Sequence, residues 1–179
     1  MAVAVARTAR GVTRPRNSQS LLLALLGLGV VAVLAVVVLL AVQLRDARAE
    51  DQRREDILQS ARQQGVNITT LDYRSVDKDL SRVLAQSTGT FRKEFEGGTK
   101  DLTDLVVKNK AVSTGEVLAA GIVTADSDSA RVLVVADATV GNSATDSATA
   151  APQVRHYRMQ LDMVRSGDRW LTSTLTFVG

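Results

Sequence analysis

The chain has 179 residues, 45% of them apolar, with 22 basic residues, 19 acidic residues and no cysteine. This length is enough for one domain and an additional segment. The absence of cysteine excludes disulfides, thiolate catalysis, cysteine-ligated metal sites and a lipidated cysteine anchor. Four basic residues lie in the N-terminal tail. The rest of the chain has 18 basic and 19 acidic residues, which gives it a net charge of −1. The excess of positive charge is thus confined to that tail, and we expect no nucleic-acid partner.

Residues 21–42 consist entirely of leucine, valine, alanine and glycine. At 1.5 Å per residue this stretch would form a helix of about 33 Å, enough to cross a bilayer core of about 30 Å. It is too long for the apolar region of a cleaved signal peptide. We therefore predict a transmembrane helix over residues 21–44. Because the stretch contains no polar side chain, we expect an anchor and not a conduction path.

The flanks of the apolar stretch predict its orientation. Arg7, Arg10, Arg14 and Arg16 precede it without an acidic residue, whereas a run of mixed charge follows it. The positive-inside rule therefore predicts a cytoplasmic tail over residues 1–20. We expect a single-pass protein of the inner (cytoplasmic) membrane whose C-terminal part lies outside the cytoplasm.

The charged segment that follows, residues 45–66, consists of good helix formers. It carries a thin apolar stripe of Ile57, Leu58 and Ala61. We predict a juxtamembrane helix whose second half packs on the following domain and which ends at Gly65.

Three shorter helices are predicted next. Asp77 is a suitable N-cap for the first. Phe91 and Phe95 lie one helical turn apart on the second, which we expect to end at Gly97-Gly98. The third is predicted to begin near Thr99.

From residue 112 onward the chain becomes rich in β-branched residues, and its period changes to two. Four strands are predicted, over residues 117–123, 131–140, 154–164 and 169–178. Helices followed by a meander of strands predict an α+β fold, with the helices packed on one face of an antiparallel sheet.

The alternation along the last two strands predicts which residues share a face. In the third strand one set is apolar and the other is polar. We expect Leu171, Leu175 and Phe177 to share a face in the fourth. The apolar set of the third strand is Tyr157, Met159, Leu161 and Met163, and the polar set is His156, Arg158, Gln160 and Asp162.

Three short motifs carry a resemblance to a known family. They are Leu71-Asp72-Tyr73, the run "L..VL..STG.F...F" from Leu80 to Phe95, and the terminal Trp170 with Leu171 and Ser173. With the order of elements, they make the chain similar to the Mce-associated membrane proteins of mycobacteria and related actinobacteria.

The resemblance implies an NTF2/SnoaL-like cone over residues 67–179, in which a curved antiparallel sheet of about four strands wraps against helices and can enclose a pocket. It also implies a role beside the Mce lipid-import transporters, as an accessory or stabilising subunit. A lipid, such as a sterol or fatty acid, is the ligand that such a pocket would hold. Cone-fold domains often dimerise through the open sheet face, which adds a second copy of the chain to the expected partners.

The candidate ligand-binding residues are aromatic or flexible apolar side chains. Each has a competing structural role, because such residues at regular spacing usually fill a core. The sequence therefore leaves both roles open. These residues are Tyr73, Phe91, Phe95, Tyr157, Met159 and Trp170.

We expect no catalytic, cofactor or metal site. Enzymes of the cone fold generally use pocket-lining His and Asp, for which the candidates are His156, Asp137 and Asp162. Asp162 would lie about 20 Å from His156 along one strand, and Asp137 could approach it only from a neighbouring strand. The spacing of these residues matches no usual metal site, and no glycine-rich loop opens a helix to bind phosphate.

Three hypotheses for function follow. The first, which we favour, is a non-catalytic interaction protein of an Mce-type lipid importer. The second is a lipid-binding module, which an apolar cavity would favour and a core filled by Phe91, Met159 and Leu161 would oppose. The third is an enzyme, which requires His156 or an aspartate to face a pocket beside another polar group.

Overall fold

The computed structural model describes residues 18–142 and 153–178 of the chain. The chain divides into two compact units, one ending at Arg48 and one beginning at Ala49. The elements in chain order are the helix α1 (Ser18–Thr69), the strand β1 (Leu71–Asp72), the helices α2 (Val76–Ala85) and α3 (Gly89–Asn109), and the strands β2 (Val112–Ala125), β3 (Ser129–Gly141), β4 (Gln153–Ser166) and β5 (Arg169–Phe177).

The first unit contains the apolar part of α1. Among the described residues, this is the one helix long and apolar enough to cross a membrane. Its apolar side chains described between Leu26 and Leu44 are exposed. A helix that is apolar on every side has no polar face for water, so its composition suits a lipid environment.

In the second unit α1 continues to Thr69, so Gly65 does not end the helix as the sequence pattern predicted. A Cβ atom at position 65 would lie 3.0 Å from side-chain atoms of Val117 and Val134. The glycine lets the helix approach the sheet closely, because any side chain there would need space that these valines occupy.

Two helices, and not three, follow β1 along the chain and precede the strands β2–β5. Helix α2 has Ser75 at its N-cap, two residues before the predicted Asp77. Helix α3 continues through Gly97 and Gly98, where the sequence predicted a break. Each of these glycines lowers helix stability by about 1 kcal/mol relative to alanine, but the flanking residues still propagate the helix.

The sheet is antiparallel, with the strand order β1-β2-β3-β4-β5. All four predicted strands are present, and β1 is an additional, short edge strand that pairs only with Val112 and Ser113 of β2. The α+β architecture of a curved sheet with packed helices is confirmed. The fifth strand went unpredicted because two residues are too few to show a periodic pattern.

The main core lies between α1 and the inner face of the sheet. Ile57 and Ala61 of α1 are fully buried, so the prediction that this stripe packs on the domain is confirmed. The apolar set of β4 points to the same side, with Tyr157 only half-buried at the end of the row. The buried members of this core are Ile57, Ala61, Ala130, Val132, Val134, Ala136, Met159, Leu161, Met163 and Trp170.

The sequence pattern predicted that Leu171, Leu175 and Phe177 of β5 share one face of the sheet. This prediction is wrong. A register shift between Asp162 and Met163 of β4 leaves Ser173 unpaired in β5. Trp170 lies in the main core before this bulge, and Leu175 packs against that core after it. Because an extra residue reverses the alternation, Leu171 lies on the opposite face from Leu175.

A second, smaller core lies between α2 and α3. Its buried residues are Val76, Leu80 and Val106. The nearby carboxylate of Asp79 is 3% exposed. It accepts a hydrogen bond of 2.9 Å from the Asp72 N–H and one of 2.6 Å from Arg82 Nη2. This buried charge is therefore paired, and it ties β1 to the start of α2.

Candidate functional site

The sheet has one covered face and one open face. On the covered face the side chains of Val132, Met159 and Leu161 are 0% exposed, so the space between α1 and the sheet is filled. On the open face Leu133 is 42% exposed, with Val135 next to it on β3 and Arg158 and Gln160 opposite these two on β4. The open face is thus the surface that the fold leaves available to a partner.

His156 and Asp137 lie opposite each other on the open face. The β3–β4 register pairs them, and His156 Nδ1 lies 2.6 Å from Asp137 Oδ1. The sequence analysis left open whether Asp137 approaches His156 from a neighbouring strand. The structure shows that it does. The His156 side chain is 75% exposed, and the backbone register places Glu116 of β2 opposite Asp137 on its other side. The histidine therefore has a partner that could orient it, but it faces solvent and not a pocket.

An ion pair lies toward the other end of the open face. Arg131 Nε and Nη2 donate to the two carboxylate oxygens of Asp162 at 2.7 and 3.2 Å. This hydrogen-bonded carboxylate raises the pKa of Arg131 above its usual value. Such two-point contacts fix the geometry of both side chains, so the surface presents ordered charges on either side of Leu133.

The Leu71-Asp72-Tyr73 motif lies at the β1–α2 turn. Arg74 donates to Asp72 through its backbone N–H, Nε and Nη2, at 2.5 to 3.1 Å. These hydrogen bonds lower the pKa of Asp72 to about 2. The Tyr73 N–H donates to the Ala111 carbonyl oxygen at 3.0 Å, which joins the turn to the end of α3. The contacts of this motif are therefore within the domain.

The run Ser87–Gly89 connects α2, α3 and β5. The Thr88 N–H donates to the Thr172 carbonyl oxygen at 2.8 Å, and Gly89 adopts a φ of 56° against Ser173. The Ser87 hydroxyl accepts a hydrogen bond of 3.1 Å from Gln64 Nε2, and both side chains are buried. All these contacts are internal to the domain, so the run has a structural role in joining the three elements.

Gln64 and Thr172 are buried polar residues that the sequence analysis missed. Both are 0% exposed. Their partners come from segments that are distant in sequence, such as Ser87 for Gln64, so no local pattern could have identified them. The Gln64 amide N–H donates to Val83 O and Ser87 Oγ, which joins α1 to the end of α2. The Thr172 backbone bonds to Gln86 and Thr88, which joins β5 to the same turn.

The structure places the six candidate ligand-binding residues in two groups, because Tyr157 packs against the same core as Met159 and Trp170. Met159 and Trp170 belong to the main core, 0% and 5% exposed. Tyr73 and Phe95 pack against the second core, and Phe91 contacts Phe95 with ring centroids 5.7 Å apart. Tyr157 lies beside Phe177 at 6.0 Å. The fold thus does not gather them around one cavity.

Of the six, Trp170 lines two adjoining grooves in the second unit. They have volumes of about 440 and 320 Å³ and share Asp56, Asp168 and Trp170. Both are open to solvent, and their walls combine charged, polar and apolar side chains. A further groove, of about 380 Å³, lies between α2 and α3. These are surface features: the two grooves beside Trp170 lie at the end of the sheet where α1 meets β5, outside the buried core that Met159 and Leu161 fill.

No group of three histidine, aspartate or glutamate side chains that could hold a metal ion is found in the parts of the chain that the structure describes. The nearest approach to such a group is the row of Glu116, Asp137 and His156 across three strands. Its exposure and spacing make it a polar surface patch.

The family to which the chain is related follows from comparison of its sequence. The model of the family described as "Uncharacterized protein Rv1363c/MT1408-like" matches residues 20–179. The chain belongs to this family. It is 32% identical over 136 residues to the uncharacterized protein Rv1363c of Mycobacterium tuberculosis. The aligned region covers 76% of this chain and 51% of that protein. The chain thus spans about half the length of the curated relative that it matches.

Solved structures resemble the second unit in fold. An IcmL-like type IV secretion system protein of Legionella pneumophila has a TM-score of 0.56 at 13% identity, over 70% of this chain and 91% of that chain. The periplasmic domain of DotI has a TM-score of 0.55 at 17% identity, over 68% and 92%. A periplasmic fragment of TraM has a TM-score of 0.53 at 12% identity, over 69% and 95%. The predicted NTF2/SnoaL-like fold is confirmed, with five strands in place of four.

Proposed function

We propose that this family member is a membrane-anchored, non-catalytic accessory subunit of an Mce-type lipid import system, acting through protein contacts. The observation that carries the proposal is the contrast between a filled interior and an open sheet face. Fully buried Met159 and Leu161 occupy the space where a cone would hold a ligand. The ordered charges and the exposed Leu133 on the other face form a surface suited to a protein partner.

The proposed location is the inner membrane, with the second unit outside the cytoplasm. Two features support it: the apolar helix of the first unit and the four arginines that precede it without an acidic residue. An anchor of this kind would hold the domain beside a transporter of the same membrane. The assignment to the Mce system rests on the resemblance of the short motifs described above.

The test is purification of the tagged full-length chain from its native membrane in mild detergent, followed by mass spectrometry. Mce transporter subunits are expected to be recovered with it. Leu133→Arg should reduce their recovery, because it places a charge in the apolar centre of the open face. Leu105→Arg is the matched control, since Leu105 is also exposed, 59%, but lies on α3.

Recovery of the wild-type protein without Mce subunits would contradict the proposal. Equal losses with both arginine variants would contradict the assignment of the open face as the contact surface.

A lipid-binding module is the alternative function, and the grooves beside Trp170 are the feature that favours it. Phe91, Met159 and Leu161 are all buried, which is the filled core that opposes a lipid inside the cone. A SnoaL-like enzyme has less support still, because His156 faces solvent. Lipid extraction and mass spectrometry of the purified protein distinguish the alternative: a stoichiometric bound lipid would favour it over the accessory role.

A further inference from the structure

The two grooves beside Trp170, here called the Trp170 grooves, bring charges of both signs together on one part of the surface. Asp56, Asp168 and Trp170 line both grooves. Arg53 and Arg165 also line the smaller one. These side chains come from α1 and from the β4–β5 hairpin, which are more than 100 residues apart in the chain. The fold therefore assembles a mixed-charge surface that no local stretch of sequence contains.

Most of these charges have no partner of opposite sign within the domain. The ion pairs of the described residues include neither Asp56 nor Asp168. They also do not include Arg165, or Arg169 in the wall of the larger groove. Arg165 Nε donates instead to the Gly167 carbonyl oxygen at 3.1 Å. A groove whose positive and negative groups are not paired with each other suits a ligand that carries both signs.

Arg53 indicates which anion the smaller groove would take. Its Nη2 donates to the Glu50 carboxylate. Its Nε is enclosed and has no acceptor among the described residues. Because enclosed polar groups normally have a hydrogen-bond partner, this donor favours an acceptor at the groove wall. A phosphate group is such an acceptor, since its oxygens match the parallel N–H donors of a guanidinium.

The length of the chain keeps the smaller groove close to the membrane surface. Its wall begins at Ala49, five residues after Leu44, the last residue of the predicted transmembrane segment. Five residues span at most about 18 Å even when fully extended, so this limit does not depend on how the helix continues. The phosphates nearest to the groove are therefore those of phospholipid headgroups.

We infer that the Trp170 grooves bind a phospholipid headgroup that carries a primary ammonium, as in phosphatidylethanolamine. Arg53 and Arg165 bind the phosphate, and Asp56 and Asp168 bind the ammonium. A primary ammonium has three N–H donors and can donate to two carboxylates at once, whereas the quaternary ammonium of choline has none. An anionic headgroup without an ammonium would leave both carboxylates unpaired.

This contact differs from the enclosure of a lipid inside the cone. Met159 and Leu161 fill the interior, and the Trp170 grooves are open to solvent, so only the headgroup touches the domain. The acyl chains stay in the bilayer, and we expect the lipid to exchange rapidly and to be lost during purification in detergent. The inference depends neither on the transporter partner nor on the open sheet face.

The first test uses Trp170, the one tryptophan of the chain, as a reporter inside the grooves. The full-length protein in mild detergent is titrated with glycerophosphoethanolamine, glycerophosphocholine and inorganic phosphate while its tryptophan emission is recorded. A saturable change is expected with glycerophosphoethanolamine, and the other two should bind about two- to fivefold more weakly, the factor of an exposed ion pair. No saturable change with glycerophosphoethanolamine, or equal affinity for all three compounds, would overturn the inference.

Variants of the two carboxylates test the ammonium site. Asp56→Asn and Asp168→Asn should each weaken the binding of glycerophosphoethanolamine about two- to fivefold without weakening that of inorganic phosphate. Asp51→Asn is the matched control, because Asp51 is exposed on the same helix as Asp56 but lines neither groove. Equal losses in all three variants would reveal a general effect of charge and overturn the inference, and circular dichroism spectra confirm that the variants are folded.

The last experiment distinguishes a lipid from a free compound with the same headgroup. The full-length protein is reconstituted into vesicles of phosphatidylethanolamine and phosphatidylglycerol, or into vesicles in which phosphatidylcholine replaces the phosphatidylethanolamine. Added glycerophosphoethanolamine should change the Trp170 emission only in the second kind, because the lipid occupies the grooves in the first. Equal changes in both kinds of vesicle would assign the grooves to a free compound and overturn the inference.

Discussion

The two faces of the same strands have different physical roles. On the inner face of β3 and β4, Val132, Met159 and Leu161 are fully buried against α1. One residue away along each strand, Leu133, the ion pair Arg131–Asp162 and the hydrogen-bonded pair His156–Asp137 are turned to solvent. Stability therefore depends on one set of alternating positions, whereas the other set faces solvent.

The difference teaches why histidine and aspartate in adjacent strands need not form an active site. His156 has the carboxylate partner that general acid–base chemistry often requires. However, it lies on the face without a second layer, where no wall excludes water or positions a substrate. The hydrogen bond between the two side chains instead orders part of an exposed surface.

The largest effect is expected from truncation on the inner face. Leu161→Ala should lower the free energy of unfolding by about 2–5 kcal/mol, because a fully buried side chain leaves a cavity. Leu133→Ala, on the open face of the adjacent strand, should change it by about 0.5 kcal/mol or less. Urea unfolding monitored by circular dichroism measures both values, and equal losses would break the distinction between the faces.

A comparable contrast is expected for two glycines of β2. A Cβ atom at position 115 would lie 1.8 Å from Thr69 Oγ1, whereas one at position 121 would have no heavy atom within 4 Å. We expect Gly115→Ala to destabilise the fold by about 1–3 kcal/mol and Gly121→Ala to be neutral or slightly stabilising. The two melting temperatures test this, and a stable Gly115→Ala variant would show that α1 does not pack closely on β2.

A smaller effect, of opposite sign, is expected on the exposed side of α3. Gly97→Ala and Gly98→Ala should each raise the free energy of unfolding by about 0.5–1 kcal/mol, because no neighbouring atom lies within 4 Å and alanine favours the helix. Gly89→Ala should lower it, since Gly89 has a φ of 56°. Destabilisation by alanine at 97 and 98 would show that the helix breaks there, as the sequence pattern alone predicted.

The smallest effect concerns pH and the exposed turn at Asp72. Its pKa is lowered from 3.8 to about 2 by hydrogen bonds from Arg74, so the folded state favours the charged carboxylate. Its contribution to stability is present above about pH 4 and is lost as the pH falls toward 2. The stability difference between wild type and Asp72→Asn should shrink over that range. An NMR titration midpoint for Asp72 near 3.8 would contradict the prediction.

Much of the architecture could be predicted from local patterns, and the errors have identifiable causes. The period of two in β4 assigned Met159, Leu161 and Met163 to the buried face, because alternation depends only on backbone geometry. The same rule assigned Leu171 and Leu175 to one face and was wrong, because the bulge at Ser173 depends on pairing with β4. Local sequence does not encode such pairing.

The candidate site was less predictable than the fold. Aromatic residues such as Phe91 and Trp170 could fill a core or line a pocket, and only the assembled structure shows that both are buried. Likewise, the approach of Asp137 to His156 depends on the β3–β4 register. The sequence showed that these two strands neighbour each other in the chain but could not show which residues are opposite.

The sequence by itself determined an apolar segment long enough to span a membrane, the absence of thiol chemistry and the order of helices before strands, because composition and periodicity are local properties. The tertiary structure decided the rest. Close packing of α1 through Gly65 fills the interior, and the limited length of β1 leaves the β2 edge unpaired. Both depend on contacts between residues distant in sequence, whose relative positions only the folded chain defines.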